Sequence, residues 1–324
     1  MKHSNISIFI PHLGCPFNCI FCDQYKITGS DCSVTPLDVY NLLEKAADDK
    51  KLLNSNTQIA FFGGSFTAID KNLMIDYLKA ANEFIGDNMF DSIRISTRPD
   101  CINNDILETL SIYNVKTIEL GIQSFDDQVL AASKRGYSSK TAQDSCVLIS
   151  ESGFELGLQM MCGLPCDTEQ KDLYTAERII RLNCKQVRIY PVIVIKGTKL
   201  CQMYQAGEYI PLSLKQAVDT CAKLYSLFRQ NDVTILKMGL HSSSDNVAGP
   251  FHPAFGELVR SRVFYNTIVK ELSKSRQYIV RVSPDFMSIA VGNSKINLSQ
   301  FKNEGYDIKI IPDPKINKEN YIIE

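Results

Sequence analysis

The 324-residue chain has no dominant charge, with 35 Lys and Arg against 36 Asp and Glu and a formal net charge of −1. That balance gives the whole molecule no attraction to nucleic acid or to an anionic membrane and leaves only local patches for such contacts. Long apolar runs are also missing. The opening MKHSNISIFIPHLG holds a short hydrophobic segment cut off by Pro11, too brief for a secretory leader, and no stretch approaches a membrane span. A cytoplasmic location is therefore expected. There is no internal repeat and no low-complexity tract. An even cysteine set is lacking too: 11 cysteines in a chain without a leader argue against a disulfide framework. The clustered thiols are left for metal ligation or catalysis, and most of the scattered ones for simple burial.

What is present is a rhythm. Hydrophobic residues make up 44% of the chain, enough for a sizeable core. Short β-branched runs recur as ISIFI (6–10), TQIAFFG (57–63), DSIRIST (91–97), KTIELGI (116–122), ELGLQMM (155–161) and KQVRIYP (185–191), with helical patterns between them. TPLDVYNLLEKAADD offers Thr35 as a cap and Pro36 in the first turn, and SKTAQDSCVLISESG runs to a stop at Gly153. Six strands alternating with helices predict an α/β fold, a partial (βα)6 TIM-like barrel over residues 1–240 with its site at the carboxyl ends of the strands. GGSFT, STRPD, GIQS and MCGLP all fall at such ends. HSSSDNVAGPFHP (241–253) reads as a polar connector to a small α/β domain over residues 250–324.

The densest chemistry is PHLGCPFNCIFCDQYKITG (11–29), where Cys15, Cys19 and Cys22 lie within eight positions. Thiolates are soft ligands that favour iron-sulfur clusters, zinc or copper(I), and C-x3-C-x2-C lets one loop wrap a cluster corner. A structural zinc site needs four ligands, and His12 or Cys32 could complete one. A 4Fe-4S cube held by three cysteines instead leaves one iron open to a substrate.

These residues resemble the radical SAM superfamily, whose hallmark is a C-x3-C-x2-C loop after the first strand of a partial barrel, with an aromatic such as Phe21 before the last cysteine. Within it, FFGGSFT, STRPD, IELGIQS, KRGY, MMCGLP and IYPVIVIKGT occur in the order of the radical SAM core of the elongator catalytic subunit family, with a looser likeness to oxygen-independent coproporphyrinogen III oxidases. The interval between the first two cysteines is shorter than in the elongator family, and residues 250–324 do not resemble its acetyltransferase-like domain. The resemblance implies a 4Fe-4S cluster on Cys15, Cys19 and Cys22. It also implies S-adenosylmethionine cleaved to a 5′-deoxyadenosyl radical, and an electron donor such as flavodoxin or ferredoxin. It assigns Gly63, Gly64 and Ser65 to the methionine amino group. Ser96 stands where the coproporphyrinogen relatives have Glu. Gln123 and Gln159 are assigned to ribose, Arg135 to the methionine carboxylate, and Phe21 and Met161 to adenine. Cys162 and Cys166, which flank GLP, are read as structural or incidental, the alternatives being a second cluster or a reactive thiol at the rim.

The last segment orders strand, helix, turn, helix, strand, and resembles the minimal core of a KH domain, a module that clamps nucleotide backbone with a GXXG loop. Here that loop is Gly292, Asn293, Ser294, Lys295, without the second glycine. Residues 250–324 carry 11 Lys and Arg against 8 Asp and Glu, a mild positive excess that Arg281, Lys295 and Lys302 help supply. The combined expectation is a radical SAM enzyme acting on RNA, plausibly a tRNA nucleoside. The alternatives are a radical enzyme for a small metabolite and an iron-sulfur protein that binds RNA or senses redox state without turnover.

Overall fold

The computed structural model describes residues 4–10, 15–17, 19–23, 34–49, 52–53, 57–240, 244–274 and 276–324. His12, Cys32 and the start of the connector lie outside them. Seven strands form one parallel sheet in chain order: β1 (Ser4–Ile10), β2 (Thr57–Gly63), β3 (Ser92–Thr97), β4 (Val115–Gln123), β5 (Glu155–Cys162), β6 (Gln186–Pro191) and β8 (Thr234–Met238). The last was not among the expected six. Parallel neighbours require crossovers, and these carry helices α1 (Pro36–Ala47), α2 (Lys71–Asn82), α3 (Asn104–Ile112), α4 (Asp127–Ala132), α5 (Ser139–Glu151), α6 (Glu169–Arg181), α7 (Lys199–Gln205) and α8 (Leu214–Gln230). Local chemistry fixes their ends. Thr35 and Asp38 form a capping box with Pro36 in the first turn of α1, and Gly153, at φ 84°, follows the end of α5.

The sheet curls. Arg188 on β6 places its guanidinium 4.9 Å from the centroid of the Phe62 ring on β2. Four strand spacings of a flat sheet would separate those backbones by about 19 Å, so the two faces must turn toward each other as in a partial barrel. Alternation then divides the side chains. Ile8, Ile10, Ile59, Phe61, Ile93, Ile95, Ile118, Leu120, Leu158 and Met160 are buried on the helix side with Val39 and Leu43 of α1. The inner face carries polar residues instead. Arg94 is fully buried and Glu119 is 1% exposed. Glu119 accepts from Arg94, from Arg188 at 2.7 and 3.0 Å, and from Gln159 at 3.0 Å. Arg94 also donates to Gln58 at 2.8 Å and to Gln186 at 2.6 Å. One carboxylate thus ties four strands together at the centre of the barrel.

Two short strands, β7 (Val194–Ile195) and β9 (Asn246–Ala248), pair antiparallel, so the connector is not wholly irregular: it folds back onto the segment after β6. Beyond it, α9 (Phe255–Glu271) leads to β10 (Gln277–Val282), α10 (Met287–Val291), α11 (Ile296–Asn303), β11 (Asp307–Pro312) and β12 (Tyr321–Ile323). β10 pairs parallel with β11 and antiparallel with β12. α9 belongs to two cores. Its Phe255 and Val259 pack into the barrel core, and its Phe264, Tyr265 and Ile268 pack with Val280 and Phe301 of the terminal unit. Asn297 of α11 donates to the carbonyls of Ser261 and Ala290 at 3.2 and 3.0 Å, which satisfies a buried amide and fastens α11 to α9. Among the described residues, no helix is long and apolar enough to cross a membrane.

The central carboxylate makes a prediction. Burial works to raise the pKa of Glu119, but Arg188 and Arg94 outweigh it and hold the group below the ordinary carboxylate value. A depressed folded-state pKa contributes stability that is fully present above the unfolded value near ~4.3 and is lost as pH falls through the folded one. Glu119→Gln, which leaves two guanidinium groups without their carboxylate, should lower stability at pH 7 by about 3–5 kcal/mol in urea unfolding. The deficit should shrink toward acid pH; an unchanged midpoint would contradict the central role of the ion network.

Candidate active site

At the carboxyl rim, a cavity of about 150 Å³ is lined by Cys15, Cys19 and Cys22 together with residues from the ends of β2, β3, β4 and β5. Of the residues singled out in the sequence, Phe21, Gly63, Gly64, Ser96, Gln123, Arg135 and Gln159 line it. Ser65 and Met161 do not, although Ser65 follows Gly64 and Met161 shares an apolar cluster with Phe21.

The glycine turn after β2 is dictated by close approach. Gly63 has φ 111°, and a Cβ there would lie 2.9 Å from the Ile10 carbonyl oxygen, which accepts from the Gly64 N–H at 2.8 Å. The turn thereby seats the end of β2 against the end of β1, where the cysteine loop departs. Ser65 is fully buried: its Oγ lies 3.0 Å from Thr97 Oγ1 and accepts from the Arg98 N–H at 3.3 Å, and its own N–H faces the Cys15 sulfur.

Two arginines surround Cys19. Arg135, 5% exposed, donates to Cys19 Sγ at 3.0 Å, to the Gly121 carbonyl at 2.6 Å and to Tyr137 Oη at 3.0 Å. Arg98 approaches the same sulfur at 3.7 Å and forks onto Asp100 with two bonds of 2.9 Å. Sequence reasoning quoted STRPD but gave Arg98 no role, and it passed over Tyr137 and Glu119. The available signal was a charged residue placed between a strand end and a proline.

The two glutamines differ. Gln123 sits at φ 63°, and its buried Oε1 has no hydrogen-bond partner. Gly121 leaves the room for it, since a Cβ there would stand 2.9 Å from Gln123 Nε2. An orphaned buried acceptor costs about 1–3 kcal/mol, which marks a place where a donor from outside the protein fits. Gln159 is instead held from within, donating to Ser96 Oγ at 3.1 Å and to Glu119 at 3.0 Å. Phe21 and Met161 share one apolar cluster with Ile20, Leu164, Val192 and Leu200.

Electrostatics set the character of the thiols. Burial, followed by the neighbouring Cys19 and Cys15, pushes the Cys22 thiol up to about 12, and burial with Cys19 raises Cys15. Two thiols held up in this way would ionise more readily beside a cationic partner. Among the described residues, no three Cys, His, Asp or Glu side chains meet closely enough to share a single ion. A zinc site draws its sulfurs to about 2.3 Å from one centre, whereas a cluster presents each cysteine with its own iron. Cys162 and Cys166 lie in different surroundings: Cys162 is fully buried beside Cys221, and Cys166 is exposed.

Residues 9–179 match the Radical SAM superfamily, and residues 184–264 match the Radical_SAM C-terminal domain. The chain belongs to the radical SAM superfamily. An uncharacterised protein of Methanocaldococcus jannaschii is 29% identical over 219 residues, covering 64% of this chain and 66% of its own length. A tRNA uridine(34) acetyltransferase of Dehalococcoides mccartyi is 21% identical over 239 residues. That match covers 64% of this chain but only 52% of the acetyltransferase, so this radical SAM chain spans about half of that relative. Among solved structures, the archaeal Methanocaldococcus infernus Elp3 with an N-terminal deletion aligns at a TM-score of 0.64 and 20% identity, covering 84% of this chain and 64% of that one. The likeness within the superfamily is thus to the elongator catalytic subunit, as the motif order implied, and the structural match supports the shared fold.

The glycine turn is directly testable in this radical SAM core. Gly63→Ala should cost about 1–3 kcal/mol, because it combines a left-handed backbone with contact on a carbonyl oxygen. The loss should appear in the urea midpoint and be accompanied by lower iron uptake during anaerobic reconstitution; uptake equal to the parent would mean that the turn does not position the cysteine loop.

Proposed function

We propose that this chain carries a 4Fe-4S cluster on Cys15, Cys19 and Cys22, binds S-adenosylmethionine at the iron left without a protein ligand, and modifies an RNA nucleoside, with tRNA as the substrate. The observation that carries the reading is the convergence of the three cysteines, with the Cys15 and Cys22 thiols pushed up by burial and by neighbouring cysteines, and an unpaired Gln123 carbonyl on one rim cavity. When bound, this pair supplies reductive cleavage of the sulfonium to a 5′-deoxyadenosyl radical, and the protein's part is to bind, orient and exclude water.

In this reading Gln123 Oε1 accepts from a ribose hydroxyl, which satisfies its orphaned lone pairs. Gln159, fixed by Ser96 and Glu119, lines the same cavity and is assigned to the ribose as well. Gly63, Gly64 and Ser65 offer backbone groups to the methionine amino end, and Ser96 stands beside them. Arg135 supplies positive charge for the carboxylate. Phe21 and Met161 give adenine an apolar wall. A small electron carrier such as flavodoxin or ferredoxin would reduce the cluster.

Support for RNA comes from the name of the tRNA-acting relative and from the terminal unit. The loop Gly292–Lys295 has φ of 81° at Gly292, 51° at Ser294 and 61° at Lys295, a sharp turn between two helices that leaves Lys295 exposed. Lys302 is exposed as well, whereas Arg281 is paired with Glu324 at 2.9 Å. We read the unit as KH-like and the loop as a phosphate contact.

Dithionite-reduced holoprotein with S-adenosylmethionine should yield 5′-deoxyadenosine, and replacing Cys15, Cys19 and Cys22 with Ala together should abolish both product and bound iron. Retained iron in the triple variant would sink the assignment. Retention of tRNA on a filter should weaken steeply between 50 and 200 mM salt, roughly as phosphate contacts do. Nucleoside mass spectrometry of RNA from cells with and without the chain should differ at one nucleoside. Identical profiles alongside deoxyadenosine formation would assign the radical to a small metabolite instead, and no deoxyadenosine from a loaded cluster would favour a sensor.

A further inference from the structure

Arg98 is 4% exposed, and its guanidinium is committed on every side. Nε and Nη2 form the fork onto Asp100, each bond 2.9 Å. Nη2 also donates to the Arg135 backbone carbonyl. The plane lies 5.1 Å from the Phe17 ring centroid and 5.2 Å from that of Tyr137. What remains, Nη1, points to Cys19 Sγ at 3.7 Å, within reach of a large sulfur acceptor. Arg98 therefore touches the cysteine loop twice, through Phe17 and Cys19, and touches the segment that aims Arg135 at the same sulfur.

We propose that Arg98 is a positioning residue for the cluster, one that seats the Cys19 sulfur between two guanidinium groups and raises the reduction potential of the centre, with Asp100 as its opposing charge. The proposal rests on the cluster reading above. Adding an electron makes a cluster more negative, so a nearby cation and N–H donors to a ligand sulfur favour the reduced state. Asp100 works the other way, since its carboxylate partly neutralises the Arg98 charge. The pair thus predicts opposite shifts from two substitutions that both break the same ion pair.

The test is an EPR-monitored redox titration of the anaerobically reconstituted holoprotein, with iron and sulfide measured first. Arg98→Gln should move the midpoint negative, with about a tenfold lower reduced-to-oxidised ratio at a fixed potential, equivalent to about 59 mV for one electron. Arg98→Lys, which keeps the charge and loses the fork, should shift it less. Asp100→Asn should move it positive. A purely structural role for the pair would lower thermal stability in Arg98→Gln and Asp100→Asn alike and leave both midpoints together; equal midpoints, or shifts of the same sign, would overturn the proposal while leaving the cluster reading intact. Absence of a cluster from the unsubstituted protein, seen already in the iron content, would overturn both.

Discussion

Holding three sulfurs in one water-poor corner is first an electrostatic problem. Each thiol that ionises makes the next harder to ionise, and burial adds to the cost. The chain meets this with positive charge placed on one sulfur, from Arg135 at 3.0 Å and Arg98 at 3.7 Å. Much of the rim follows from that need. The Gly121 carbonyl accepts from Arg135 Nη2, Tyr137 Oη accepts from its Nε, and Asp100 balances Arg98. The donors around Cys19 are thereby fixed in advance and need not reorganise when charge at the sulfur changes.

A second buried charge problem lies deeper, where Glu119 stands between Arg94 and Arg188. The two are linked through Gln159, which donates to Glu119 on one side and to Ser96 on the other, and Ser96 belongs to the rim cavity. The barrel interior is therefore a continuous polar frame running from its centre to the cysteine loop. Aliphatic packing on the helix side supplies cohesion, and the frame supplies direction.

The fold was largely legible because its signals are local. Period-two apolar runs gave six of the strands, the Thr35 and Gly153 signals marked real helix ends, and the cysteine spacing located the loop. β8 escaped notice because TILKM is short and half-polar, and its place in the sheet is decided by pairing with β6 rather than by its own composition. β7 and β9 were missed for the same reason: each has two or three residues and exists only through the other. At the rim, most of the residues that the motifs named line one cavity, whereas those defined by long-range contact were not named. Arg98 and Glu119 acquire meaning only when strands distant in sequence bring a sulfur, a carbonyl or a second guanidinium beside them.

The helix shared by the two cores has a mechanical consequence. Because Phe255 and Val259 are anchored on one side and Phe264 and Ile268 on the other, a single rigid rod spans the junction. The terminal unit is therefore not an arm on a tether. A packing change in either core is carried along the same helix into the other.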